Sequence, residues 1–428
     1  MRERILGVLC LAATLLACEP SVRRVDVGWG WARNSVNTPV FRKNALYTHL
    51  GYQYIGYYDA DGVLVIGKRA SGSRDWELKK TRYQGNTKDA HNAISLIVDG
   101  DGYIHVSWDH HNSKLRYIRS TAPEVLDFSD EIPMIDREEE VVSYPEFYTM
   151  AGGDLLFMYR DGGSGHGDLI INKYSLVTAQ WTRLQDNLIS GEGERNAYWQ
   201  ACVGDGGVVH LSWVWRESSD VASNHDMSYA KSTDGGLTWQ KSNGDTYTLP
   251  ITAATAEVVK YIPQHSDLIN QTSMATDEDG RPMIVSYWKN QGDSVPQYQF
   301  ITQREDRWVC RDLGFRTVPF SLSGIGTKAI PIARPQIVAA NDRALVIFRD
   351  VERGNKVTVA MSFAPDYEAW ELRDLTTEGF AAWEPTLDPS LWSHKAELNL
   401  FLQDVTQVDG EGIAETEATQ VQVLEWKL

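Results

Sequence analysis

The stretch His91-Asn-Ala-Ile-Ser-Leu-Ile-Val-Asp-Gly-Asp-Gly-Tyr-Ile-His-Val-Ser-Trp-Asp-His-His111, followed by Leu115-Arg-Tyr-Ile-Arg-Ser120, decides the fold. Two runs rich in Val, Ile and aromatic residues flank an Asp-Gly turn, and a short polar loop leads to a third run, which reads as three antiparallel strands. The unit recurs at Asn196 to Arg216, where Gly-Asp-Gly-Gly-Val-Val-His-Leu-Ser-Trp matches its second strand. A weaker copy runs from Asn270 to Trp288, around Asp279-Gly280-Arg281-Pro282. Others occupy Tyr52 to Lys68, Tyr144 to Asp161, Pro335 to Asp350 and Pro385 to Asp404. A repeat of about 40 to 55 residues is that of one propeller blade, so the expectation is an all-β, seven-bladed β-propeller of four-stranded antiparallel blades.

Ser232-Thr-Asp-Gly-Gly-Leu-Thr-Trp239 matches the Asp-box, Ser-x-Asp-x-Gly-x-x-Trp, which ties down a hairpin between outer strands and says little about activity. No Pro-, Gly- or Ser-rich linker divides the chain, so residues 29–428 read as a single propeller domain. Before it, Met1-Arg-Glu-Arg4 and an apolar run ending in Leu15-Leu-Ala-Cys18 have the layout of a lipoprotein signal peptide over residues 1–17, with Cys18 acylated and 18–28 as a short tether. An ordinary signal peptide is the alternative. Glu19 after the cysteine favours the outer membrane, with the lipid as the only membrane attachment. Cys202 and Cys310 then remain in the folded part, which is no disulfide framework and leaves a bridge, free thiols or metal ligation open. A formal charge of −17 argues against nucleic acid and requires any acidic ligand to meet local cations. Nothing points to an organic cofactor or to assembly beyond a monomer.

Equivalent positions of different blades gather around the propeller axis. Aligning the Asp-Gly turns sets His91 opposite Asn196, places Ala93, Tyr144 and Tyr198 at one equivalent position, and does the same for Asp109, Arg160 and Val214, with His111 opposite Arg216. Two His, two Tyr and two Arg are thereby expected on one rim. Such a rim can neutralise an anion with Arg and move protons with His and Tyr, which is what β-elimination at a uronic acid requires. Each residue also has a structural reading: the Tyr as packing between blades, Arg160 as a salt-bridge partner, and His49, His105 and His210 as satisfied interior residues. Classical hydrolysis needs two facing carboxylates, and no spacing singles out a pair among Asp109, Asp161 and Glu217. Sialidase chemistry could recruit Arg160, Arg216 and Arg349 with a Tyr nucleophile.

The blocks Asp89-Ala-His-Asn92, His105-Val-Ser-Trp-Asp-His-His111, Asn196-Ala-Tyr-Trp199, His210-Leu-Ser-Trp-Val-Trp-Arg216, Asn224-His-Asp226, Leu268-Ile-Asn-Gln271 and Arg334-Pro-Gln336 resemble the BNR-repeat propellers that include ulvan lyases. The resemblance spans nearly the whole chain from about Trp29. It implies catalytic roles for His91, His111, Tyr144, Arg160 and Tyr198: Arg160 neutralising a carboxylate, Tyr144 donating a proton and, as an alternative, also serving as base, His91 as base or its partner, and His111 orienting or binding. His111 is preferred to His110 because it shares a strand face with Asp109 and His105. Asn196, Arg216 and Asn270 are the substrate-binding candidates. One structural zinc is also implied, with His166 and His225 as ligands and a third from Asp220, Asp226 or Glu217; two exposed loop His are the alternative. The expected activity is a polysaccharide lyase on an anionic, uronate-containing and sulfated polymer such as ulvan. The alternatives are a sialidase-like hydrolase and a non-catalytic glycan-binding propeller.

Overall fold

The computed structural model describes residues 22–428, and the leader and Cys18 lie outside them. Alternating apolar strands, each ended by a polar turn, form seven antiparallel sheets. The first blade comprises Leu46–His49, Tyr52–Tyr58, Val63–Ala70 and Glu77–Gln84. The second is shorter, with Ile94–Val98, Ile104–Trp108 and Tyr117–Arg119. The third has Val142–Thr149, Leu155–Gly163, His166–Ser175 and Gln180–Ile189. The fourth begins Asn196–Val203 and Val209–Arg216, the fifth Ser273–Thr276 and Pro282–Trp288, and the sixth Gln336–Ala340 and Arg343–Phe348.

In the seventh blade, Val22–Gly30 pairs antiparallel with Thr419–Lys427, joining the first described strand to the last. This corrects the expected tether, because residues 22–28 belong to the propeller as its closing outer strand. This closure ties both ends of the described chain into one blade, and the radial arrangement leaves each sheet only short edges.

The turns repeat because their chemistry does. Asp59, Asp99 and Asp277 each accept the backbone N–H groups two and four residues later, at 2.9 to 3.0 Å. In the Asp-box, Asp234 takes N–H bonds from Leu237 and Thr238 and a hydroxyl bond from Ser232, while Trp239 is wholly buried. Large side chains fill the space between neighbouring sheets, as Leu156, Trp199, Trp213, Met274 and Ile284 do across the third to fifth blades. Each such residue contributes about 1.5–3 kcal/mol through burial. His105 and His210 are interior residues as expected, bonded to Tyr117 and Tyr229 at 2.7 Å. Cys202 and Cys310 are free thiols.

The second and third blades depart from the regular pattern in a way that matters. At Asp109, whose φ is +69°, the chain leaves the second blade, and His111–Ser113 adds to the inner edge of the third, with His111 opposite Ser143. His111 therefore does not share a strand face with Asp109 and His105; it reaches the rim because the chain crosses between blades. His110 stays in the interior, accepting the Arg116 N–H at 2.7 Å, and burial lowers its pKa to about 3.

Candidate active site

The inner strands begin at one rim of the channel, and the site is assembled there. Tyr144 has φ +56°, and the pairing of its strand shifts between Ser143 and Glu146. This is a β-bulge, which turns one side chain away from the regular alternation. Tyr198 reaches the same rim from an unbroken strand, opposite Val214. The two rings meet edge to face with centroids 5.7 Å apart.

An arginine covers each tyrosine. The Arg160 guanidinium lies 5.0 Å from the Tyr144 ring centroid, and that of Arg216 lies 5.2 Å from Tyr198. Each arginine also donates its Nε–H to the carbonyl two residues later, Gly162 at 3.0 Å and Ser218 at 3.1 Å. Arg160 is thus the counterpart of Arg216, not of Val214; the bulge at Tyr144 displaces the turn-based register. Both arginines donate to Tyr198 Oη at 3.4 Å, and Ser164 Oγ lies 3.2 Å from it. Asn112 Oδ1 at 2.7 Å and Ser143 Oγ at 3.0 Å hold the remaining face of Arg160.

This surround drives the two phenols apart. Burial disfavours the anion at Tyr198, yet the cations of Arg216 and Arg160 overcome it and pull its pKa down to about 7. Tyr144 moves the other way, because burial and the neighbouring Tyr198 both hold its proton on. The pair therefore gives up one proton near neutrality and keeps the second.

Beside the tyrosines lies a histidine pair. The His91 and His111 rings stack with centroids 4.1 Å apart, and His91 lies 6.1 Å from Tyr144. Asp89 bridges them: Oδ1 is 2.7 Å from His91 Nδ1 and Oδ2 is 2.6 Å from His111 Nδ1. Burial opposes the Asp89 charge, but the two imidazoles hold its pKa far below the usual carboxylate range. Glu411, from a loop of the seventh blade, approaches His91 Nδ1 at 3.3 Å. An acceptor at Nδ1 places the ring proton there and leaves Nε2 with a free lone pair.

A cavity of about 360 Å³ opens over the site, lined in part by His91, Tyr144, Arg216, Asn270, Gln271 and Lys328. Arg160 and Tyr198, both 1% exposed, stand behind this lining. Phe41 closes one side, 5.2 Å from Tyr144, with Arg334 over its ring at 5.0 Å; Arg334 is paired with Glu384 at 2.6 Å. A larger cavity of about 790 Å³ lies at the opposite end of the inner strands and contains none of these residues.

The remaining candidates are placed as follows. Asn270 lines the cavity and accepts from Asn224 at 3.3 Å. Asn196 is fully buried and accepts the Gly165 N–H at 2.5 Å, which makes it a tether for the loop after Arg160. Arg349 lines the cavity but donates to the carbonyls of Trp383 and Ile330. His166 is exposed, and His225 has its nitrogens 2.8 Å from Glu217 and 3.1 Å from Asp226. Among the described residues, the three side chains with ligand atoms converging on one point are Asp89, His91 and His111, and neither His166 nor His225 is among them. The donors at His225 do not form a zinc-type set as placed. Asp89, Glu411, Ser143, Asn112 and Ser164 were not singled out from sequence. For Asp89 a local signal existed, since it lies two residues before His91.

A family model for BNR repeat-containing family members matches residues 52–316. The chain belongs to this family. Among curated proteins, this BNR-repeat protein is 28% identical over 131 residues to the ulvan lyase, short isoform, of Alteromonas sp. (strain LOR), an alignment covering 27% of this chain and 24% of that protein. The matched part is therefore about a quarter of that relative's length. Among solved structures, the polysaccharide lyase Uly1 superposes with a TM-score of 0.69 at 17% identity, covering 89% of each chain. A PL25 ulvan lyase does so with a TM-score of 0.68 at 15% identity, covering 92% of this chain and 95% of that one. A further PL25 ulvan lyase structure, bound to -[GlcA(1-4)Rha3S]-, gives 0.67 at 14% identity, with the same coverage. At these identities the likeness establishes the propeller fold shared with the lyases.

Proposed function

We propose that this BNR-repeat propeller is a polysaccharide lyase that cleaves a uronate-containing, sulfated, ulvan-like polymer by β-elimination. The observation that carries the reading is the Tyr144–Tyr198 pair held between Arg160 and Arg216, with the Asp89-bound histidines beside it. The likeness to ulvan lyases supports the choice of substrate class.

In this reading the uronate carboxylate meets Arg216 at the cavity wall, with Arg160 reinforcing it from behind. Pairing with guanidinium stabilises the negative charge that develops on the carboxylate as the C5 proton leaves. His91 is the base: it lines the cavity, and Asp89 on Nδ1 leaves Nε2 free to accept. Tyr144 is the acid, since it also lines the cavity and retains its proton to give to the departing C4 oxygen. Tyr198 serves as the counter-anion of the two arginines until the substrate carboxylate arrives. His111 shares Asp89 with His91 and fixes that carboxylate.

A hydrolytic pair is not favoured by the carboxylates near the cavity, because Asp89 and Glu411 are taken up by His91 and Glu384 by Arg334. The test is incubation with ulvan while following the near-ultraviolet absorbance of the C4–C5 double bond. A rise in that absorbance with chain shortening is expected. New reducing ends without it would indicate a hydrolase, and binding without new ends a lectin-like propeller; either outcome rejects the proposal.

A further inference from the structure

We propose that Asp89, His91, His111 and Glu411 form a binding site for a divalent transition-metal ion of the zinc class, and that occupancy switches the site off. The switching part rests on the reading of His91 as the base; the binding part does not.

The donor set comes first. One ligand atom each from Asp89, His91 and His111 lies within 4.8 Å of the others. Glu411 Oε1, 3.3 Å from His91 Nδ1, supplies a fourth. Two imidazole nitrogens and two carboxylate oxygens are ligands that zinc and its neighbours accept in tetrahedral geometry, with bonds of about 2.0–2.2 Å. The ligands are held in advance. The His91 backbone N–H donates to Asp89 Oδ1 at 2.9 Å, and Glu411 accepts from the Thr327 N–H at 2.7 Å and its hydroxyl at 2.9 Å. All four side chains are partly open to solvent, between 16% and 29%, so an ion can enter.

Charge points the same way. Among the described residues, no Lys or Arg forms an ion pair with Asp89 or Glu411; their ionic partners are the two histidines alone. With neutral rings the cluster carries two negative charges, and a divalent cation balances them. The arginines of the same rim are engaged elsewhere, Arg160 and Arg216 with Tyr198 and Arg334 with Glu384.

The consequence for the base follows from tautomer chemistry. Coordination uses the Nδ1 lone pair, so the ring proton of neutral His91 moves from Nδ1 to Nε2, with no net loss of protons and no change of oxidation state. His91 Nε2 then carries a hydrogen and can no longer accept the C5 proton. Removing the ion returns the proton to Nδ1, against Asp89, and restores the base.

Calorimetric titration of the chelator-treated full chain with zinc chloride, without polymer, tests the site. A binding step is expected that weakens by about tenfold or more in Asp89→Asn and in His111→Ala, and that persists in the His166→Ala/His225→Ala double variant. Circular dichroism confirms that each variant is folded, and the visible spectrum of the Co²⁺ form reports tetrahedral coordination. Zinc binding unchanged in Asp89→Asn and His111→Ala, or lost in the double variant, overturns the site. The elimination assay is read separately. Loss of turnover on zinc loading, reversed by chelator, is expected; full turnover with zinc bound at these residues overturns the switch. A metal-free protein that does not act on the polymer rejects the proposed function and leaves the calorimetric result on the metal standing.

Discussion

Tyr144 and Tyr198 touch edge to face at 5.7 Å, yet one holds its proton and the other releases it near pH 7. The difference comes from position. Tyr198 Oη lies within reach of both Arg160 and Arg216, whereas Tyr144 meets Arg160 through its ring face. Contrasting proton affinities in neighbouring groups are how a site keeps one acid charged and the other neutral at the same pH.

The first expected outcome concerns pH. Above about 7 the Tyr198 phenolate competes with an anionic substrate for the two guanidiniums, so KM should rise with pH from there. Tyr198→Phe removes the competitor and should flatten the KM profile, while Arg216→Gln takes away a cation and moves the phenol titration to higher pH. The ultraviolet difference spectrum of tyrosinate, recorded on the same variants, checks the assignment directly.

Tyr144→Phe removes the proposed acid but keeps the ring between Phe41 and Tyr198. Turnover should fall by about 10²–10⁴-fold with KM little changed. A substrate with a good leaving group at C4 should recover most of the loss, because it does not need the proton. Steady-state kinetics on both substrates decides this.

The two arginines should separate kinetically. Arg216 lines the cavity and Arg160 stands behind Tyr144, so Arg216→Ala should act mainly on KM and Arg160→Ala mainly on kcat. Losses of about 10²–10³-fold in kcat/KM are expected for each. Equal effects on both parameters in both variants would contradict the placement.

Asp89→Asn keeps the shape of the side chain but loses the charge that draws protons to Nδ1 of both histidines. A fall in kcat of about 10²-fold or more is expected from the wrong tautomer. The ¹⁵N shifts of His91 and His111 report that tautomer without reference to activity.

Stability should depend on the channel pair Arg334–Glu384. Burial opposes the charge on Glu384, but Arg334 and the Val40 N–H hold its carboxyl below the usual range. Glu384→Gln leaves Arg334 without its counter-ion and should cost about 3–5 kcal/mol in denaturant unfolding. A lowered folded pKa gives stability that is present above the unfolded carboxylate value and lost as pH falls through the folded one, so the wild type should lose this increment in acid and the variant should not.

Turn chemistry and strand period are local, and they made the propeller legible in the chain alone. An Asp two residues ahead of an Asp-Gly pair captures its own backbone within four residues, so the blades could be counted from turns such as Asp59, Asp99 and Asp277. The same turns set Tyr144 level with Tyr198, which the ring contact bears out. What the chain alone could not supply depends on contacts between distant segments. The bulge at Tyr144 made Arg160 the counterpart of Arg216, and the crossing at Asp109 carried His111 to the next blade. Glu411 reaches His91 from 320 residues away, as the neighbouring Ala90 N–H bond to it shows at a separation of 321. The strand at Val22–Gly30 joins the propeller only because the ring closes on it. Protonation was the last to be decided, since a phenol titrates by its burial and the cations around it, and those belong to the assembled rim and not to any stretch of sequence.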